Sequence, residues 1–430
     1  MKNNKILLST FSSAIAAALL LPTVTNAAPL VSIGDNVDIF FNGSTSLQWT
    51  SNVLRDEDDE LDDVIWTFSP GFEINLGRGL SKADFSIITR YDIVRYSDLD
   101  QLDAELFHIK AVGSYKSSRL DLSASASFDE VKSTTGDVNV TNDLIEWDDT
   151  AARIDGEYRF SEKLSVGSGV RYSEREYQTY DNFLADRETI TIPVDIYYEL
   201  TPKVDLSLGY SYSDTDVGDT NAPRSGIVPL VPGPGFGIGT IGTTSVSGYS
   251  YDSHFFNVGA RGNLLPKLTG FFKVGYRVRD TDDSTVQLLD LSGGDVGLPS
   301  STNRKSTGML GLDANFTWAA TPKITARLDL SRDFGVGGEG GTTENSTVNA
   351  VVSYSISGNW SAQANAGYTL REYDDGGRED HQYRLGTALT FVPNQNWRFS
   401  GGYNYTENDT DAFNRSYESH TLSLTATLRY

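Results

Sequence analysis

Cysteine is absent from all 430 residues, so no disulfide staples the chain and no thiolate is available to catalysis or to zinc. Beyond Leu21 no stretch approaches the ~18 consecutive apolar residues that a membrane-spanning helix needs. Positive charge is scarce: 35 Lys and Arg against 58 Asp and Glu leave a formal net charge of -23. That balance argues against nucleic acid as a partner, because binding it requires a basic footprint. Histidine occurs four times, at His108, His254, His381 and His420, and never in a metal-binding spacing such as His-Glu-x-x-His. His381 beside Asp380 is the one pair reminiscent of a base with its orienting group, and a solvated loop end accounts for it better. No catalytic residue, metal site or cofactor is expected.

The N-terminus sets the compartment. Lys2 and Lys5 precede an apolar stretch from Ile6 to Leu21, followed by Pro22 and the small-residue run Thr25-Asn26-Ala27. This is the anatomy of a secretory signal peptide over residues 1–27, favoured over a membrane anchor because a cleavable sequence follows at once. Residues 28–430 then form one domain, since no linker or shift of composition divides them. The first strand begins about ten residues into that domain, which leaves no room for an N-terminal plug.

What the chain has in abundance is alternation. Val37, Ile39, Phe41, Thr45, Leu47 and Trp49 share one parity, opposite Asp38, Asn42, Ser44, Ser46 and Gln48. Trp66, Phe68, Pro70, Phe72, Ile74 and Leu76 repeat the pattern, as do Ala83, Phe85, Ile87, Thr89, Tyr91 and Ile93. A period of two means a strand whose faces meet different media. It predicts strands near 37–50, 64–76, 82–95, 105–116, 119–129, 151–160, 163–174, 187–200 and 203–213. A second set follows near 250–264, 267–279, 306–318, 323–333, 345–356, 359–372, 381–392, 396–406 and 417–430. Apolar residues amount to 38% and are spread thinly. They suit one sheet closed on itself, with lipid outside and water within. The fold class is all-β: a single transmembrane antiparallel barrel of about 18 strands, with 16–18 compatible with the pattern, in a Gram-negative outer membrane.

Connections alternate in kind. Short ones, such as Thr201-Pro202-Lys203, Leu265-Pro266-Lys267, Thr321-Pro322-Lys323 and Ser357-Gly358-Asn359, alternate with long acidic ones such as Arg55–Asp63, Asp214–Gly248 and Asp280–Lys305. Short periplasmic turns and long external loops are the barrel habit. Gly209-Tyr210, Gly275-Tyr276, Gly367-Tyr368 and Gly402-Tyr403 recur along the strands, with Trp360 and Trp397 placed as interface anchors. The last strand alternates Leu422, Leu424, Ala426 and Leu428 with polar residues and ends at Tyr430. A terminal aromatic there resembles the signal read by the barrel-assembly machinery, although the common choice is Phe. The Pro-Lys turns, Gly-Tyr strands and acidic loops together resemble a family of outer-membrane β-barrel porins often encoded beside bacterial exopolysaccharide secretion genes. The resemblance spans the mature chain with loose motifs. It implies a pore or secretion accessory and assigns no catalytic residue.

Parity places Arg90, Arg153, Arg171, Arg187, Arg261, Arg277, Arg327, Arg371 and Arg384 on the pore lining, with carboxylates such as Glu73, Asp155, Glu157, Asp195, Asp205, Asp313, Asp329 and Asp333. A cationic lumen would concentrate anionic solutes, acidic saccharides among them. The competing expectation is a ladder of Arg–carboxylate pairs bracing the wall. The external carboxylate runs, Asp56–Glu60 among them, offer oxygen to Ca²⁺ or Mg²⁺, yet solvated, self-repelling loops explain them as well. One loop differs: Gly226–Phe236 is apolar and rich in Pro and Gly. Its Val228, Pro229, Leu230, Val231, Pro232 and Phe236 are expected to form a constriction or lid; packing on other loops and contact with a partner protein are the alternatives. The expected function is a passive porin-like channel for anionic or saccharide solutes, or an aid to exopolysaccharide export. The alternative is a structural or adhesive barrel with a closed lumen. The expected partners are membrane lipid, lipopolysaccharide and the assembly machinery.

Overall fold

The structure, a computed structural model, describes residues 29–34, 36–77, 82–134, 143–229, 236–290, 299–302, 306–374, 377–412 and 415–430. For 222–229, 236–241, 290 and 302 it describes the backbone alone. The expected signal peptide lies outside the described residues.

The described strands are β1 (Val31–Ile33), β2 (Val37–Thr50), β3 (Asp63–Leu76), β4 (Ala83–Tyr96), β5 (Ala104–Lys116), β6 (Leu120–Ser133), β7 (Ile145–Arg159) and β8 (Leu164–Tyr177). Next come β9 (Arg187–Thr201), β10 (Val204–Val217), β11 (Thr220–Pro229), β12 (Phe236–Val246), β13 (Tyr249–Leu265), β14 (Leu268–Thr281), β15 (Ser284–Asp290) and β16 (Ser300–Thr302). The remainder are β17 (Thr307–Thr321), β18 (Ile324–Val336), β19 (Thr342–Ser355), β20 (Trp360–Tyr373), β21 (Glu379–Phe391), β22 (Trp397–Thr410) and β23 (Tyr417–Arg429). Strands β2–β10, β13, β14 and β17–β23 pair antiparallel with their neighbours and close into an 18-stranded barrel. Closure runs from Asn42↔Arg429 to Thr50↔Thr421 between β2 and β23.

Alternation dictates which side of each strand faces lipid. On β9 the side chains of Ile190, Ile192, Val194, Ile196, Tyr198 and Leu200 stand exposed on the outer surface, whereas Asp195 between them is buried on the other face. On β6, Leu122 is exposed outside while Ser123, Ser125 and Ser127 alternate on the inner face. In lipid every backbone N–H and C=O must find a protein partner, and a closed ladder provides one for each without leaving an edge. Aromatics such as Tyr210, Tyr276, Tyr383 and Tyr403 also stand exposed on the outer surface. Three of the four histidines join them: the Tyr210, Tyr368 and Tyr403 hydroxyls lie 2.8, 2.9 and 2.8 Å from Nδ1 of His254, His381 and His420.

The short turns show why Thr-Pro-Lys recurs. Thr201 Oγ1 accepts from the backbone N–H of Lys203 and Val204, and Thr321 Oγ1 does the same for Lys323 and Ile324. Two turn lysines reach sideways: Lys267 Nζ donates to the Ala320 carbonyl at 2.9 Å, and Lys323 Nζ to that of Ile356 at 3.2 Å. The turns are thereby stitched to one another around the periplasmic rim.

At the other end the strands outrun the expected limits: β6 extends to Ser133, β10 to Val217 and β22 to Thr410. Above the membrane both faces of a strand meet water, so the alternation that marks it fades while the hydrogen-bond ladder continues. The expected loop 214–248 departs further. Within it β11 and β12 pair as the two arms of a hairpin, β12 pairs with β15, and β15 with β16, in a four-stranded sheet. Val217↔Tyr249 is followed by Thr220↔Val246, and Tyr251↔Thr281 by Val246↔Val286, without a change of register. The small sheet is therefore an upward continuation of the wall formed by β10, β13, β14 and β17.

Outward Leu208 on β10 and inward Ser125 on β6 supply a stability test. Leu208→Arg should cost about 2–4 kcal/mol for a cation near the bilayer midplane, and Ser125→Arg should cost far less. Urea titration of refolding into lipid vesicles measures both.

Candidate functional site: the lumen and its outer mouth

The inner wall is polar, and its charges are organised in pairs. Arg90 Nε lies 2.9 Å from Asp92. Arg153 and Arg171 share Asp155, Arg171 at 3.2 Å, and Arg327 Nε lies 2.8 Å from Asp329. Arg261 on β13 meets Glu157 on β7 at 2.7 Å and Asp205 on β10 at 3.0 Å, with its guanidinium 3.4 Å from the centre of the Tyr197 ring. Arg277 joins Asp313 at 3.0 Å and Asp333 at 3.1 Å. Arg371 stands 4.0 Å from Asp380, Arg384 donates to the Thr369 hydroxyl at 3.1 Å, and Arg187 donates to the Val336 carbonyl at 2.7 Å. The bracing ladder is thus present among the residues expected to line the pore.

Several of these pairs span neighbours rather than adjacent strands. Glu157 and Arg261 sit four strands apart around the wall, about 19 Å at ~4.8 Å per strand. Lys273 on β14 reaches across β13 and β10 to Asp195 on β9, 2.7 Å from both carboxylate oxygens. Side chains close such gaps only where the sheet curls tightly, so the barrel is not round in section here. Small inward residues permit the curl. A Cβ at Gly311 would come within 2.6 Å of the Phe255 ring and 2.7 Å of Arg277 Cγ. Inward glycine beside outward aromatic is therefore the structural sense of the Gly-Tyr repeat.

Water still reaches the lining. Side chains of Arg90, Arg171 and Asp129 keep 50%, 43% and 42% of their surface accessible, although they face the lumen.

The mouth is more crowded. Among the described residues three small apolar clusters lie at the outer rim: Leu54, Leu102 and Leu144; Ile145, Trp147, Tyr177 and Leu184; and Ala185, Val217, Tyr249 and Tyr251. The Tyr180 phenol, in the connection between β8 and β9, is pushed up to about 12 by desolvation and by its 2.8 Å hydrogen bond to Asp143. Val336 packs into the third cluster from the top of β18, and the glycine-rich segment beyond it crosses the mouth. Ala185 N–H donates to the Gly338 carbonyl at 2.9 Å and the Tyr249 hydroxyl to that of Gly340 at 2.7 Å. Arg415 pairs with Glu339 at 2.6 Å. This strap escaped the sequence reading. Its only signal was the run Gly335-Val336-Gly337-Gly338-Glu339-Gly340-Gly341, which looks like any flexible loop.

Of the expected constriction, Val228 and Pro229 pair with Gly237 and Phe236 in the hairpin β11–β12, while Leu230, Val231 and Pro232 lie outside the described residues. Asp380 and His381 do not form a dyad. Adjacent on β21, they point to opposite faces: Asp380 binds Arg378 and the Thr410 hydroxyl, and His381 binds Tyr368. Among the described residues no three of His, Asp and Glu converge as a metal ion would require.

Residues 300–430 match the model of the family described as "Putative beta-barrel porin 2". No curated protein sequence matches the chain. Among solved structures, the ferric-catecholate import receptor Fiu from E. coli K12 aligns over 93% of this chain and 82% of its own, with 9% identity and a TM-score of 0.47. A bacterial polysaccharide outer membrane secretin aligns over 91% and 98%, with 11% identity and a TM-score of 0.36. OpdK from Pseudomonas aeruginosa aligns over 91% and 99%, with 11% identity and a TM-score of 0.41. What those barrels carry says nothing about the cargo of this one. The chain is a closed β-barrel of the bacterial outer membrane, and its C-terminal part matches a porin family.

The long ion pair is open to a double-mutant cycle. Lys273→Met leaves the largely buried Asp195 carboxylate without its cation and should cost about 3 kcal/mol. Adding Asp195→Asn should return most of that loss in the same urea titration.

Proposed function

We propose that the protein is a passive channel whose lumen admits small hydrophilic solutes. The observation that carries this reading is the accessible charge of the lining: a lumen sealed by packing would not leave Arg90, Arg171 and Asp129 about half open to water. Because most guanidinium groups are held by carboxylates, selectivity for anions is expected to be modest. Unequal partnering supports a residual anion preference, since Arg384 is held by a hydroxyl rather than by an acid. Anionic or saccharide solutes, including material for exopolysaccharide export, are the cargo this lining favours.

The structural or adhesive reading draws on a different observation, the inward-folded segments and apolar clusters at the mouth. A lid made by the hairpin tip between Val228 and Phe236 belongs to the same proposal. So do a lipopolysaccharide collar around the outer aromatics and recognition of the strand ending at Tyr430 by the assembly machinery.

Planar-bilayer recording decides between the two readings. The full barrel should give steady unitary conductance, with a reversal potential slightly on the anion side in a salt gradient. Removal of residues 222–240 should raise the conductance if the hairpin tip is a lid. Absence of conductance from protein shown to be folded would favour the closed barrel.

A further inference from the structure

We propose that the glycine-rich tip of the β18–β19 hairpin is a movable gate over the outer mouth; the inference rests on the channel reading above. Three features of the fold lead there. First, β18 leaves the wall before it ends. Its ladder with β17 stops at Leu312↔Arg332, whereas β17 continues beside β14 to Arg279↔Thr307, and β18 continues beside β19 to Val336↔Thr342. The upper residues of β17 and β18 have therefore parted, with the hinge at Arg332.

Second, the freed tip is fastened across the lumen by a few small contacts on distant strands. Arg277 on β14 donates to the Arg332 carbonyl at 3.1 Å and pairs with Asp333, and the Arg279 guanidinium lies 4.6 Å from the Phe334 ring. Further along, Val336, Gly338, Glu339 and Gly340 are held by Arg187, Ala185, Arg415 and Tyr249 as described above. The contacts tie the strap to β14, to Ala185, Arg187 and Tyr249, and to Arg415, and most of the hydrogen bonds end on strap carbonyls, which need no particular side chain. Five glycines within residues 335–341 give the segment the backbone freedom to move, and Gly340 uses it with φ of +80°.

Third, a second resting place exists. Extending the β17–β18 register upward without a shift would pair Leu310 with Phe334 and Gly308 with Val336. Leu310 is 59% exposed on the outer face, so Phe334 would gain an apolar neighbour in exchange for its stack on Arg279. The upper edge of β17 would in turn recover its ladder. Each position has contacts of its own, which is the condition for a two-state element.

The absence of cysteine makes a lock simple to build. A Cβ at position 340 would lie 3.1 Å from Ala185 Cβ, so a shift of a few tenths of an ångström brings the pair to the separation of about 3.5–4.5 Å that a disulfide spans. Single-channel recordings of Ala185→Cys/Gly340→Cys should show two conductance levels when reduced and only the lower level when oxidised, with the upper level returning on reduction. Independently, Tyr249→Phe/Glu339→Gln should raise the open-to-closed ratio about fivefold for each fastener lost, the weight of one ordinary hydrogen bond. The second variant decides the matter if the first does not fold. Identical traces before and after oxidation, with the disulfide verified by mass, would overturn the gate and leave the channel standing. An unchanged ratio in Tyr249→Phe/Glu339→Gln would also overturn the gate alone. Silence from every variant and from the natural protein would overturn both.

Discussion

The structure depends on one constraint, that a backbone inside lipid has no water to satisfy its N–H and C=O groups. A sheet meets that demand only by closing, and closure from β2 to β23 leaves every strand within the membrane with two partners. Once the ladder is closed, side chains have two destinations. The outward set has to be apolar, as in the row from Ile190 to Leu200. The inward set need not be apolar and can be polar or charged, or absent where the wall leaves no room for a Cβ, as at Gly209 and Gly311.

That division explains what the sequence reveals and what it hides. Within the membrane the two media differ, alternation is strong, and the strand positions from β2 to β23 are legible to within a few residues. The limits fail at the outer ends of β6, β10 and β22, where both faces are wet. The same failure conceals the hairpin β11–β12, whose Pro-Gly-rich apolar run reads as irregular loop although its backbone continues the register of β10 and β13. The charged partners are half legible. Parity assigns Arg261 and Glu157 to the lumen, but their meeting from β13 and β7 depends on how tightly the wall curls, and no local pattern encodes curvature. The strap is the least legible part, because glycine marks freedom rather than destination.

Curvature also connects the fold to its use. Inward glycines and serines let Lys273 and Arg261 cross over intervening strands, drawing one arc of the wall inward and knitting its charges together. Arg171, within that arc on β8, and Arg90 and Asp129, beside it on β4 and β6, keep their charges open to water. Braced and wet charges coexist in one stretch of wall, so the bracing ladder and the passage are not alternatives. The mouth adds a third layer, in which segments from distant strands meet over the lumen through bonds far fewer than those of the wall.

The central claim is that the lumen holds water along its length, and thiol accessibility tests it most directly. Val170 and Arg171 are neighbours on β8, one exposed toward lipid and the other toward the lumen. In the barrel reconstituted into vesicles, a charged, membrane-impermeant thiol reagent should modify Arg171→Cys rapidly and leave Val170→Cys untouched. Protection of Arg171→Cys in the folded protein, with modification restored on unfolding, would contradict a water-filled passage.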